Sequence, residues 1–194
     1  MDALAHIKKK FDLDLTQPSP IALPIEKYRG LPTLFKELGY KVGAEIGVNK
    51  GKYSKWLCHI VRPLKLFLVD PYLSYQEYGE YSDQEGLNAI YAEAQVWLAK
   101  YNCEFVKKKS MDALADFNDN SLDFVYIDAN HAFEFVVNDI AEWSKKVRPG
   151  GIISGHDYSN YMREVRIAVD AWAQVKRIKP WFTTGRACWF WVKQ

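Results

Sequence analysis

No apolar run in the 194 residues approaches the roughly 20 that a membrane span needs, so nothing in the sequence reads as a span. Cysteine is scarce. Cys58, Cys103 and Cys188 are scattered and odd in number, and no pair has the spacing of a zinc site or a redox motif, which leaves buried thiols in a reducing compartment as the expectation. Charge of one sign is lacking too: 26 basic residues against 24 acidic ones give a net charge of +2, without the concentrated positive field of a dedicated nucleic-acid binder. The start, Met1 to Lys10, puts its lysines after a short apolar stretch, the reverse of a secretory signal, and there is no internal repeat. These absences together predict a soluble, cytoplasmic protein. The Lys8–Lys10 and Lys107–Lys109 runs read most simply as solvated faces.

What is present is 48% apolar content, enough for one substantial core, and a regular alternation of short and long apolar segments. Residues 1–24 read as an N-terminal arm, because Pro18, Pro20 and Pro24 punctuate any regular element. Leu31, Leu34, Phe35 and Leu38 recur at helical spacing up to Gly39, predicting a helix over roughly 25–38. The division expected is an arm and helix over 1–39 and a catalytic-type domain over 40–194. From residue 40 the pattern is that of repeated βα units. Strands are expected at 41–46, 64–69, 103–106, 122–127, 151–155, about 176–181 and 188–193, with helices near 51–61, 85–100, 110–117, 133–147 and 161–174. Two apolar runs near the C-terminus, joined by a turn around Thr184-Gly185 with no room for a crossover helix, must pair antiparallel. The fold class is therefore α/β: a single doubly wound Rossmann-like domain whose seven-stranded, mostly parallel sheet has an antiparallel last strand.

The first strand of that domain runs into Glu45-Ile46-Gly47-Val48-Asn49-Lys50-Gly51, a cofactor loop by position or else a plain tight turn. The glycines at 43, 47 and 51 are four apart and an acid precedes the central one, which departs from the dinucleotide fingerprint. A phosphate would be repelled by Glu45, whereas the cationic, amine-bearing end of S-adenosylmethionine would be attracted. Asp70, 23 residues after Gly47, ends the second strand before Pro71 and either accepts both ribose hydroxyls or stands solvated. Ser110, ahead of Met111 and Asp112, is either an ordinary N-cap or an adenine contact.

Further on, Asp123–His131 closes the fourth strand, Arg148-Pro149-Gly150-Gly151 makes a turn, and Gly155-His156-Asp157-Tyr158 closes the fifth. With these motifs in order, the stretch 41–158 resembles the class I S-adenosylmethionine-dependent methyltransferases, in particular the small-molecule O-methyltransferases of the catechol and macrolide-sugar type. The resemblance implies a methionine subsite at Glu45, Gly47, Val48, Asn49 and Gly51, a ribose acid at Asp70 with Pro71, and adenine contacts at Ser110 and Met111. It implies that Asp128, beside the cofactor, joins His156 and Asp157 in holding a divalent metal (Mg²⁺, Mn²⁺ or Zn²⁺), and that His131 is the general base where the family usually has lysine. His156 replaces a carboxylate of the family pattern. A histidine titrates near neutrality and suits a base; a lone strand-end histidine also serves as a hydrogen-bonded support.

The activity expected is O-methylation of a small hydroxyl-bearing acceptor such as a sugar or catechol, with no nucleic-acid or membrane partner and a homodimer as an option. Three alternatives stand beside it. They are a nicotinamide- or nucleotide-binding Rossmann enzyme, disfavoured by the glycine spacing; a non-catalytic module on the same fold; and a nucleic-acid methyltransferase, disfavoured by the charge and by Asp-Ala-Asn-His where base-amino enzymes resemble (D/N)-P-P-(Y/F). Residues 71–84, with Tyr72, Tyr75, Tyr78 and Tyr81, form either a lid over the acceptor or a packed surface loop.

Overall fold

The computed structural model describes residues 2–26, 29–74, 83–185 and 187–194. Tyr75, Tyr78 and Tyr81 of the expected lid lie outside the described residues, as do Lys27 and Tyr28 of the first predicted helix. Among the described residues the strands form one eight-stranded sheet. They are β1 (Ile21–Leu23), β2 (Val42–Ile46), β3 (Lys65–Val69), β4 (Cys103–Val106), β5 (Leu122–Ile127), β6 (Val147–Gly155), β7 (Phe182–Thr184) and β8 (Trp189–Val192). Their order is β1-β7-β8-β6-β5-β2-β3-β4, and β8 runs antiparallel to both β6 and β7 while the other pairs are parallel.

Alternation along the strands builds two cores. Leu66, Leu68, Phe124, Tyr126 and Phe190 face one layer, covered by α1 (Ala3–Phe11), α2 (Gly30–Glu37) and α3 (Lys52–Ile60). Ala44, Ile46, Val125, Ile127, Trp189 and Trp191 face the other, covered by α6 (Phe133–Lys146) and α7 (Arg163–Val175). The short α5 (Ser110–Ala113) also lies on that side, and α4 (Gln84–Leu98) starts at Asp83, whose carboxylate caps Glu85 and Gly86 N–H at 3.0 and 3.2 Å. Helices thus cover both faces.

Two expectations are corrected. Residues 176–181 end a helix instead of forming a strand: Lys176 closes α7, Arg177 adopts φ +53°, and Ile178 N–H turns back to the Ala173 carbonyl at 2.9 Å. The strand begins only at Phe182, where the apolar residues follow the cationic stretch and Pro180. Residues 1–24 are not irregular either, since the prolines fall between elements and leave room for both α1 and β1. β1 pairs parallel with β7, Ile21 opposite Phe182, which raises the strand count from seven to eight.

Cysteines far apart in sequence also meet, Cys58 Sγ of α3 lying 3.3 Å from Cys103 Sγ of β4. The strand order reverses between β2 and β5, and the carboxyl ends of these two strands open a crevice where a doubly wound sheet places its ligand.

Candidate active site

Gly47 follows β2 with φ +86°, and a Cβ there would stand 2.0 Å from the Asp128 carbonyl oxygen at the end of β5. Both the dihedral and the close approach require glycine. Asn49 at φ +51° continues the loop and Gly51 at φ +73° opens α3. Asp70 ties this loop to the next: its Oδ2 accepts from Val48 N–H at 2.9 Å and Asn49 N–H at 3.0 Å, and its Oδ1 accepts from Tyr72 N–H at 2.9 Å. Tyr72, itself at φ +45°, donates its hydroxyl to the Asn49 carbonyl at 2.9 Å. A carboxylate offers about four acceptor positions, so three of Asp70's are already committed to the backbone.

Below these loops lies a cavity of about 230 Å³. Gly47, Asn49, Asp70, Pro71, Ser110 and Met111 line it, six of the residues singled out from the sequence. Val48 contributes its N–H to Asp70 and Gly51 packs toward Leu98; neither is part of the lining, nor is Asp128. Glu45 is 2% exposed and points to the opposite face of the sheet from the cavity residue Ile46, where Ser54 of α3 donates to its Oε2 at 2.5 Å. Burial pushes its carboxyl well above the usual carboxylate range against that hydrogen bond, and the side chain is turned away from the cavity. Strand alternation is the reason.

The sequence left Ser110 between N-cap and adenine contact. It is the first residue of α5, its hydroxyl donates to Asp139 and accepts from Trp143 Nε1 at 2.8 Å, and no side chain caps that helix. Asp139 was missed: it lines the cavity from α6 while only 4% exposed. Burial raises its carboxyl to about 7, opposed by the Ser110 hydrogen bond. The signal was an acid set among Val136, Ile140 and Trp143 on one apolar stripe. Leu87, Ile90 and Phe135 add an apolar wall, also unforeseen.

Beside the cavity, the ends of β5 and β6 gather charge. His131 Nε2 lies 3.0 Å from Asp157 Oδ2 and 3.7 Å from Asp128 Oδ1. His156 Nδ1 lies 3.0 Å from Asp157 Oδ1. Ligand atoms of Asp128, His131 and Asp157 lie within 4.8 Å of one another, a grouping that does not include His156. The backbone of His156 is held on both sides: its N–H donates to the Ile127 carbonyl at 3.0 Å and its carbonyl accepts from Trp189 Nε1 at 3.1 Å.

The carboxylates of Asp128 and Asp157 push His131 up to about 10 against its burial. At neutral pH the imidazole is therefore a cation, not the neutral base its ordinary value suggests. Burial opposes ionisation of Asp157, yet hydrogen bonds from His131 and His156 outweigh it and hold that carboxyl well below its usual range. Asp157 has φ +61°, a strained conformation for a residue with a side chain. Two carboxylates and an imidazole make a donor set suited to a divalent cation, which would take the place of the proton on His131.

A sheet reversing at β2 and β5, a glycine loop joined to an acid at the next strand end, and a cavity beneath both define the class I S-adenosylmethionine-dependent methyltransferase architecture. Residues 44–158, more than half of the chain, match the family model described as Methyltransferase domain, and the chain belongs to that family. A relative, the uncharacterized protein y4gI of Sinorhizobium fredii (strain NBRC 101917 / NGR234), is 23% identical over 179 residues; the match covers 76% of this chain and 19% of that protein, so the chain spans about a fifth of its length. Among solved structures, the O-methyltransferase TomG from Streptomyces achromogenes, in complex with SAM, superposes with a TM-score of 0.62 at 17% identity, covering 100% of this chain and 91% of TomG. The O-methyltransferase from Bacillus cereus in complex with SAH gives 0.61 at 16% identity, with 98% and 89% covered. At these identities the likeness is one of fold. No helix of the described residues is long and apolar enough to cross a membrane.

Proposed function

We propose that the protein transfers the methyl group of S-adenosylmethionine to a hydroxyl of a small acceptor, such as a sugar or catechol. One observation carries the reading: the Asp128–His131–Asp157 cluster stands directly against the cofactor cavity, because Ala129 and Asn130, between the first two, line it. In this reading the Gly47–Gly51 loop cradles the methionine end, Asp70 with Pro71 receives the ribose through its remaining acceptor position, and Met111 and the wall of Leu87, Ile90 and Phe135 cover the adenine. Methyl transfer is an in-line displacement at a sulfonium carbon, so these groups act mainly by alignment, which is worth several kcal/mol of barrier, about 7–11 in favourable cases.

Asp128, His131 and Asp157 would hold a divalent metal, with His156 orienting Asp157 from behind. Such a cation, when bound, lowers the pKa of an acceptor hydroxyl. His131 is held in place by both carboxylates, and its proton is the one that the cluster must give up before the imidazole can ligate or accept. In this reading the acceptor is received by the surface around Leu73 and the strand ends of β5 and β6.

The test has two stages. Calorimetry with S-adenosylmethionine and S-adenosylhomocysteine should show binding of both; absence of either would end the assignment. A mass-spectrometric screen of sugars, catechols and other hydroxyl compounds with labelled donor should then find a labelled O-methyl product. A product labelled only on nitrogen or carbon would overturn the hydroxyl reading.

A further inference from the structure

A second cleft, of about 460 Å³, opens between the outer face of α3 and the end of α4, and shares no lining residue with the cofactor cavity. Its walls are cationic and aromatic: Lys52, Lys55 and Lys100, with His59, surround Trp56, Trp97 and Tyr101. Two more cations reach it. Arg29 lies 5.0 Å from the Trp56 ring centroid, and Arg62 lies 6.0 Å from that of Tyr101, with its Nη2 3.5 Å from His59 Nδ1.

An ordinary solvated helix face interleaves its lysines with acids three or four residues away. This one does not. α3 carries neither Asp nor Glu anywhere in its sequence, α4 has no acid after Glu93, and no carboxylate belongs to the lining among the described residues. Lacking anionic partners there, the cations lie over rings instead: Lys55 Nζ is 4.8 Å from the Trp97 centroid and Lys100 Nζ 5.4 Å from that of Tyr101. The clustering polarises the molecule, because without these three lysines and two arginines the chain's acidic residues outnumber its basic ones. Trp56, Trp97 and Tyr101 are only half-buried, leaving flat apolar surface in a positive field.

We propose that this cleft is a binding site for a nucleoside phosphate, with the base stacked on an indole and the phosphates on Lys52, Lys55 and Lys100. The ring and the anion are each answered on the page. Indole faces take any base by stacking, and lysines take phosphate as point charges. A bare polyanion would make no use of the three aromatic rings. A lipid surface is a poor fit because the rings line a concave cleft and do not project from the surface. A long single strand would ask for a cationic track beyond the cleft, and the acidic balance of the remaining chain opposes one.

The experiment titrates the wild-type protein with ATP by calorimetry while saturating S-adenosylhomocysteine fills the cofactor cavity, and repeats the titration with UTP, inorganic triphosphate and a single-stranded oligonucleotide. ATP and UTP should bind at one site, more weakly as salt is raised. Lys55→Glu/Lys100→Glu, both exposed positions whose exchange should leave the circular dichroism spectrum intact, should weaken ATP by at least about tenfold, consistent with loss of charge-assisted contacts. Trp97→Ala should weaken ATP but not triphosphate, and Asp70→Ala should leave ATP binding at this cleft unchanged. No nucleotide binding at millimolar concentration, or binding indifferent to the charge reversal, would overturn the site. Triphosphate binding as tightly as ATP would overturn base stacking, and binding of the oligonucleotide alone would overturn the single-nucleotide assignment.

Discussion

The two halves of the active-site crevice are built by different means. On the β2–β3 side the shape is held by backbone: a positive-φ glycine packed on a carbonyl, and one carboxylate receiving three N–H groups from two loops. On the β5–β6 side it is held by charges that neutralise one another, His131 between two carboxylates and His156 behind one of them. Backbone geometry tolerates almost no substitution, whereas a charge cluster changes state with whatever cation occupies it. The first half suits a cofactor of fixed shape, and the second suits chemistry.

That contrast breaks most sharply at Gly47. Gly47→Ala meets the Asp128 carbonyl and an unfavourable φ together, so cofactor binding should be lost and stability should fall by at least about 2 kcal/mol, a drop of roughly 4–8 °C in Tm. Gly51→Ala provides the scale. Its Cβ would crowd side chain and no backbone, chiefly the tip of Leu98 at 2.8 Å, so most of the cost is the dihedral and should stay near 1 kcal/mol. Thermal unfolding of the two variants side by side checks this; equal losses would show that the close approach to β5 is unimportant.

The charged half is sharpened by His131→Ala, Asp157→Ala and a chelator, once an acceptor is known. Turnover should fall by about 10²- to 10⁴-fold in either variant, the range for a positioned proton-transfer group, with S-adenosylmethionine affinity changed little. His156→Ala, outside the candidate metal triple, should weaken the proposed metal binding by about 10- to 100-fold, as expected of a residue that orients a ligand. Activity that persists through chelation and Asp157→Ala yet fails in His131→Ala would leave a metal-free site with His131 as the acting group.

Asp70 tests the backbone half from its side-chain end. Asp70→Ala removes the acceptor for three N–H groups as well as the proposed ribose contact, and calorimetry should find affinity for S-adenosylmethionine lowered by about 10- to 100-fold, since a hydrogen bond to a charged group is worth about 1.5–3 kcal/mol. Asp70→Asn keeps one acceptor oxygen but puts a donating amide NH2 in place of the other, so it should fall between wild type and alanine. An alanine variant with unchanged affinity would remove Asp70 from the site.

Sequence exposed these halves unequally, for physical reasons. Gly47, Asn49, Asp70 and Pro71 were legible because a βα loop at a strand end has a fixed place in a doubly wound sheet, and the helix and strand periods located those ends to within a residue or two. The period also places Glu45: a residue one step before Ile46 in β2 faces the other layer, where Ser54, nine residues on, donates to it. Distance hid the rest. Which of His131 and His156 stands near both Asp128 and Asp157 depends on how the ends of β5 and β6 meet in space, and no local pattern encodes that. The arm's strand β1 was hidden likewise, since three residues between two prolines become a strand only because β7 offers an edge.

Asp139 stands on the cofactor side yet behaves like the charged side, and it supplies the smallest and most specific test. Its ordinary carboxyl value is 3.8 and burial lifts it to about 7 in the folded protein, so the native state retains a proton that the unfolded chain has already released anywhere between those two values. Across that window the native state binds more protons than the unfolded state, and stability must therefore fall as pH rises, levelling off once both states are ionised above about 7. Asp139→Asn keeps an acceptor for the Ser110 hydroxyl and has no proton to lose, so its stability should lack this decline. Denaturant unfolding at pH 5.5 and at pH 8 should show the variant gaining on wild type by about 2 kcal/mol between the two conditions, at roughly 1.4 kcal/mol per pH unit over the part of the window crossed. A gain that appears only on the way up in pH identifies a buried, protonated acid in the cavity wall, while parallel curves for the two proteins would mean that Asp139 is ionised in the fold.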